Sequence, residues 1–153
     1  MGSSFVTLNA AEAKVATVIG TYRETTSQER GFRDGSHRPQ SASLEQNVDA
    51  AGAEMAASKL TGCRWNMTVG EDLTEPDLWP YVEVRHTTFK NGGLIIRSKD
   101  KPERLFILVV GTLPRYRVIG WIRGEEARRD EHRWKDAWKV PQSGLTRFNE
   151  GTA

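Results

Sequence analysis

The chain has 153 residues, 37% hydrophobic and 27% charged, which suits one soluble globular domain with a sizeable core. Its 22 basic and 20 acidic residues leave a formal charge of +2; that balance does not mark a nucleic-acid binder, so any basic surface has to come from clustering, as in Arg115–Arg117 and Arg123–Arg133. Cys63 is the only cysteine, which excludes an internal disulfide and a thiolate zinc site and points to a reducing, cytoplasmic setting. No run approaches the ~18–20 apolar residues that span a bilayer, and the start lacks a basic-then-apolar signal pattern.

In chain order, Asn9 and Glu12 have the spacing of a capping box, so a helix starts there and runs past Gly20, with Tyr22 and Arg23 finishing it. From about Thr25 to Ser41 the chain is polar and reads as irregular. Arg23, Arg30, Arg33, His37 and Arg38 there could touch phosphate, or simply be solvated. A second helix is expected from Ser43 to about Leu60, with Leu44, Val48, Ala51 and Met55 as its buried stripe and small residues for close packing. Glu54 falls roughly 80–100° from that stripe, at its margin. Thr61-Gly62 ends the helix.

Cys63 to Val69 reads as a short strand or extended run, and Gly70 to Pro80 as an acidic loop. A strand follows over Tyr81–Thr88. Lys90-Asn91-Gly92-Gly93 predicts a hairpin returning through Leu94–Arg97. Leu105–Val110 is continuously apolar and predicts a central strand buried on both faces. Tyr116–Ile122 is the next strand. A polar helix from Glu125 to about Trp138 and a loose tail from about 141 complete the order. The fold class is α+β: a mixed or antiparallel sheet of about four to five strands with helices packed against it.

Pro76–Arg85 concentrates the chemistry. Glu83 and Arg85 alternate with Val82 and Val84, so they share a strand face opposite the core, and Asp77 lies just upstream. Phosphodiester hydrolysis at neutral pH needs a metal to lower the pKa of a water and to stabilise charge on phosphate. Magnesium wants oxygen ligands. An acid before a strand, a second acid on it and a cation two residues along supply that layout, and Glu54 from a packed helix could complete it.

Pro76-Asp77, a five-residue spacer and Glu83-Val84-Arg85, with the helix Gly52-Ala53-Glu54-Met55, resemble the PD-(D/E)XK nuclease superfamily, and more narrowly its small phage- and prophage-encoded members. The resemblance covers about Leu44 to Ile122. It implies a restriction-endonuclease-like core, DNA as substrate, and Mg²⁺ or Mn²⁺ held by Asp77, Glu83 and Glu54, with Arg85 standing where the family has Lys. Arg stays charged and grips phosphate as a fork but is a poor proton shuttle. Lys90 or Lys99 could supply the amine, and Arg97 adds to a DNA-facing set of Arg85, Lys90, Arg97 and Lys99.

Blander readings stand beside these. Glu83–Arg85 could be a same-face ion pair, Asp77 a turn cap and Glu54 a surface acid. The same fold could be a catalytically weak or inactive DNA- or protein-binding accessory module, and the Trp-rich C-terminal region could support a homodimer. His86 shares the Val82/Val84 face and reads as packed at the core edge; His37 and His132 read as surface. Trp121, Trp134 and Trp138 read as core or helix-docking residues, with a base-stacking platform as the alternative. Arg123, Arg128, Arg129 and Arg133 recur at helical spacing, interleaved with acids, as on a solvated helix face. Phosphate-loop and nucleophile-elbow patterns are absent.

Overall fold

An apolar run such as Leu105–Val110 can be buried only as a strand with a core on each side. A computed structural model of the chain, describing residues 4–30, 40–69 and 75–148, places it in β4 (Leu105–Thr112). The other elements in order are β1 (Ser4–Thr7), α1 (Ala10–Arg30), α2 (Gln40–Thr61), β2 (Val82–Thr87), β3 (Leu94–Arg97), β5 (Arg115–Arg123), α3 (Gly124–Ala127), β6 (Arg133–Trp134) and β7 (Ala137–Val140). The main sheet has the order β1-β5-β4-β2, with β2 parallel to β4 and the other pairs antiparallel; β3-β7-β6 form a second, antiparallel sheet. The fold is α+β, with helices packed against a mixed sheet.

Alternation along β4 divides the core in two. Ile107 and Val109 face the helices, beside Ala16, Ala51, Ala53, Ala56 and Ala57. Phe106, Leu108 and Val110 face the second sheet, beside Leu94, Ile96 and Val140. The main sheet is therefore sandwiched, and its edge strand β2 lies where helices, main sheet and second sheet meet.

The helices are longer than their sequence signals. The capping box forms, with Asn9 N–H donating to Glu12 Oε1 (2.7 Å) and Glu12 N–H to Asn9 Oδ1 (2.8 Å). α1 then runs on to Arg30 instead of stopping near Arg23, and α2 begins at Gln40, so the segment expected to be irregular is helical at both ends. Its middle, 31–39, with Arg33, His37 and Arg38, lies outside the described residues, as does the side chain of Arg30. The continuation has a tertiary cause: Glu24 is buried against α2 and Asn47 Nδ2 donates to it (2.8 Å), while the Thr25 and Thr26 hydroxyls bond back to the Thr21 and Tyr22 carbonyls. Close crossing demands Gly20, where a Cβ would stand 2.4 Å from Val48 Cα. The expected stripe of α2 is also corrected. Leu44 is exposed, and the buried positions are Ala51, Gly52, Ala53, Glu54, Ala56 and Ala57.

The β2–β3 hairpin does not form. Residues 77–78 cover the start of the β2 edge: Leu78 and Val82 exchange backbone hydrogen bonds (2.9 and 3.1 Å), and Asp77 Oδ2 accepts from Val84 N–H (2.8 Å). β3 pairs with β7 instead, burying Leu94 and Ile96. The polar C-terminal helix is replaced by the short α3, a 3₁₀ turn at Asp130–His132 and the β6–β7 ribbon, which reverses at Lys135 with φ of 56°. The expected loose tail is docked through residue 148: Leu145 is buried, Phe148 packs on the helix-side core, and Thr146 pairs with Trp121 through backbone bonds of 2.8 and 2.9 Å. From 149 onward the chain lies outside the described residues.

Candidate functional site

The Leu78–Val82 pair determines where the acids go. Trp79 N–H bonds to Arg64 O (2.8 Å) and Asn66 N–H to Asp77 O (3.0 Å), so 64–66, 77–79 and 81–83 form a small antiparallel patch at the foot of β2. Leu78 and Val82 are a hydrogen-bonded pair, so the next pair outward, Asp77 and Glu83, is of the non-hydrogen-bonded kind. Its side chains share a face, with Cβ atoms ~4.5–5.5 Å apart. Spacing in the chain brings these acids near one another; the tight reversal through Trp79, Pro80 and Tyr81 sets them face to face.

Like charges directly opposite on a ladder repel. Asp77 is largely buried, and burial pushes its carboxyl well above the usual range. The Glu83 charge adds to that rise and the Val84 N–H opposes it. Glu83 is steadied from the other side by Arg104, a buried arginine from the turn before β4, through Nη1 to Oε1. Asp77 has no cation of its own in hydrogen-bond contact among the described residues.

Glu54 stands apart from that pair. It is buried at 7% exposure, not marginal, and both its oxygens are taken: Arg23 grips it bidentately at 2.8 Å and 2.8 Å, and Trp65 Nε1 donates at 2.9 Å. Burial, then the charge of Asp77, push Glu54 up to about 7 against the pull of Arg23 and Trp65. Burial lowers the Arg23 pKa, but contact with Glu54 outweighs it and the net shift is upward. Arg23 is thus an internal counterion rather than a phosphate contact; its Nε also donates to Thr68 O (2.8 Å).

Arg85 points with Glu83, as strand alternation requires, but is held elsewhere. Its Nη2 pairs with Asp100 Oδ2 (2.8 Å), its Nε donates to Ile95 O (3.2 Å), and its guanidinium lies 5.0 Å from the Phe106 ring centroid. Burial raises the Asp100 pKa, but the Arg97 N–H and the Arg85 guanidinium outweigh it and leave Asp100 below the usual range. Lys90 and Lys99 are exposed, and no described hydrogen bond or ion pair joins either to Asp77 or Glu83. His86 sits at the core edge, its Nε2–H donating to Gly111 O (2.7 Å), and His132 Nδ1 bonds Ala127 O (2.8 Å).

Asp77 and Glu83 thus come together; Glu54 and Arg85, each already partnered, do not join them in contact. Among the described residues no three His, Cys, Asp or Glu side chains gather into a metal-holding group. Two facing carboxylates are nonetheless hard oxygen donors of the kind magnesium and manganese accept, with water completing the shell. A divalent cation would remove the repulsion that Asp77 bears. The donor set fits such an ion as a two-carboxylate site, without Glu54.

Sequence reasoning missed Arg104 and Trp65 as partners of Glu83 and Glu54, and Asp100 as the partner of Arg85. Arg104 had no local signal, because only the parallel β2–β4 register, with Val82 opposite Leu105, carries it to Glu83. No family model, no curated protein and no solved structure matches the chain. No helix among the described residues is long and apolar enough to cross a membrane.

Proposed function

We propose that the Asp77–Glu83 pair takes up Mg²⁺ or Mn²⁺ and that the protein hydrolyses DNA phosphodiesters there. The observation that carries this reading is the frustrated acid pair: Asp77 is held largely buried, opposite Glu83, with its pKa raised. Structural ion pairs are arranged to relieve charge, whereas functional sites keep it in tension. The ion, when bound, would activate water and stabilise charge on the phosphate. The chain's own part is positional. Val84 N–H orients Asp77, and Arg104 orients Glu83. The resemblance to the PD-(D/E)XK superfamily supports the choice of DNA.

Calorimetric titration of Mn²⁺ and Mg²⁺, paired with cleavage assays on duplex, branched and single-stranded DNA, tests the proposal. Wild type is expected to bind the ion and cut at least one form, and Glu83→Gln to lose both. Absence of binding by wild type sinks it. A second reading, a catalytically weak or inactive binding module of the same architecture, is favoured by one observation: Arg85, the counterpart of the family's Lys, is locked onto Asp100 and Ile95. Metal binding without cleavage of any DNA form would select it.

A further inference from the structure

Sheet pairing assembles a surface that no stretch of sequence announces. In the second sheet Arg97 lies opposite Ala137, and Ala137 opposite Trp134; one row along, Ile95 lies opposite Lys139. Strand alternation puts Arg97, Trp134, Ile95 and Lys139 on the face opposite Leu94, Ile96 and Val140, with the small Ala137 buried between them. Arg97, Lys135 and Lys139 are exposed, and no described ion pair neutralises any of them. Lys135 Nζ and Lys139 Nζ stand 4.7 and 5.2 Å from the Trp134 ring centroid, so the indole positions the two ammonium groups. Occupied in this way, Trp134 is a support rather than a stacking platform. Trp138 likewise holds Arg128 and Arg133 at 5.1 and 4.9 Å while packing on the core.

This face continues into a groove of about 360 Å³ bounded by Arg85, Phe89, Ile95, Arg97 and Lys139. Phe89 stands at its rim with 76% of its surface exposed. The turn that presents it is anchored, with Arg117 Nη2 and Gln142 Nε2 both donating to Lys90 O at 2.9 Å. None of the residues lining the groove is a carboxylate, and Asp100, the acid that pairs with its Arg85, also accepts from the Arg97 N–H (2.8 Å). The result is a cationic track with one unused aromatic face beside it.

We infer that this face binds single-stranded DNA, with the backbone along Arg97, Lys139 and Lys135 and an unpaired base stacked on Phe89. The charge of the track selects a polyanion, and the exposed ring selects one whose bases are free, because a duplex hides its base faces. The inference rests on the function proposed above only for the choice of DNA over RNA. It assigns the strand form, using residues other than Asp77 and Glu83.

Fluorescence anisotropy with a labelled oligo-dT, a duplex of equal length and an oligomer of abasic sites, all in EDTA, tests it. The single strand is expected to bind tightest, with log K falling against log salt by ~0.7 for each phosphate neutralised. Phe89→Ala should weaken oligo-dT binding about tenfold and leave the abasic oligomer unchanged, as loss of one stacked base implies. Lys139→Glu should weaken both strands and flatten the salt slope. Thermal melts confirm that these exposed substitutions leave the fold intact. Equal or tighter binding of duplex, or full affinity in both variants, overturns the inference. Binding in EDTA without cleavage in metal would retire the nuclease reading alone. Cleavage with variants that bind as wild type would retire this one alone.

Discussion

Glu54 and Asp77 are both acids near the foot of β2, both removed from water, both raised in pKa. Their surroundings differ. Glu54 is closed off, with Arg23 and Trp65 supplying every hydrogen bond its oxygens need. Asp77 receives one backbone N–H and faces another carboxylate. Burial acts on each; satisfaction separates them. The first arrangement ties α1 to α2 and to the Trp65 segment. The second stores repulsion that an added cation would release. An acid's proximity to a motif is thus a poor guide to its role, and the fate of its oxygens a better one.

The largest effect should come from opening the closed acid. Glu54→Ala leaves the Arg23 guanidinium and the Trp65 N–H buried without partners, and is expected to cost about 3–5 kcal/mol in denaturant unfolding. Arg23→Ala should be similarly severe, and the double variant less than additive because the partners act as one unit. A mild Glu54→Ala phenotype would dissolve the distinction between the two regions.

Acidity gives a second handle. Glu54, raised to about 7 from an ordinary 4.5, holds in the folded state a proton that the unfolded chain has released. Its contribution to stability is fully present below about pH 4.5 and is lost as pH rises to about 7; Asp77 acts in the same direction. Asp100, depressed below its ordinary value, acts in the opposite sense and at lower pH. Urea midpoints measured across pH 4–8 should therefore decline from about pH 4.5 to about 7 and level off above it, less steeply in Glu54→Gln.

Asp77→Asn sharpens the contrast from the other side. The amide oxygen can still accept from Val84 N–H, while the repulsion with Glu83 disappears. A gain of about 1 kcal/mol at pH 7.5 is expected, the scale of one like-charge cross-strand pair. Wild type should gain melting temperature when Mn²⁺ is added, by linkage to the folded state, and the variant should not. A destabilised Asp77→Asn would make that acid structural, like Glu54.

Arg85→Lys is expected to be of similar size. A single ammonium cannot reproduce the fork that reaches Asp100 and Ile95 O together, so about 1 kcal/mol should be lost in this partly exposed pair. As the baseline, Arg129→Ala removes an exposed 3.6 Å pair with Glu131 and should leave the unfolding midpoint unchanged.

Local physics was legible in the chain itself. The Asn9–Glu12 box, the apolar run of β4, the same-face placement of Glu83 and Arg85 and the core-edge position of His86 each follow from short-range geometry, and each is found. The nearness of Asp77 to Glu83 was legible too, since a five-residue spacer holding Pro80 leaves little room to separate. What the tertiary structure alone decided is which charges meet. Arg104 reaches Glu83 through a parallel register; Arg23 reaches Glu54 because α1 packs closely across α2; Arg85 finds Asp100 across a turn. Lys90-Asn91-Gly92-Gly93 specifies a reversal but not a partner, and β3 pairs with β7, where Leu94 and Ile96 are buried. Backbone propensity and alternation act within a few residues, so sequence displays them. Ion pairing and strand pairing act between segments distant in the chain, so only the packed fold determines them.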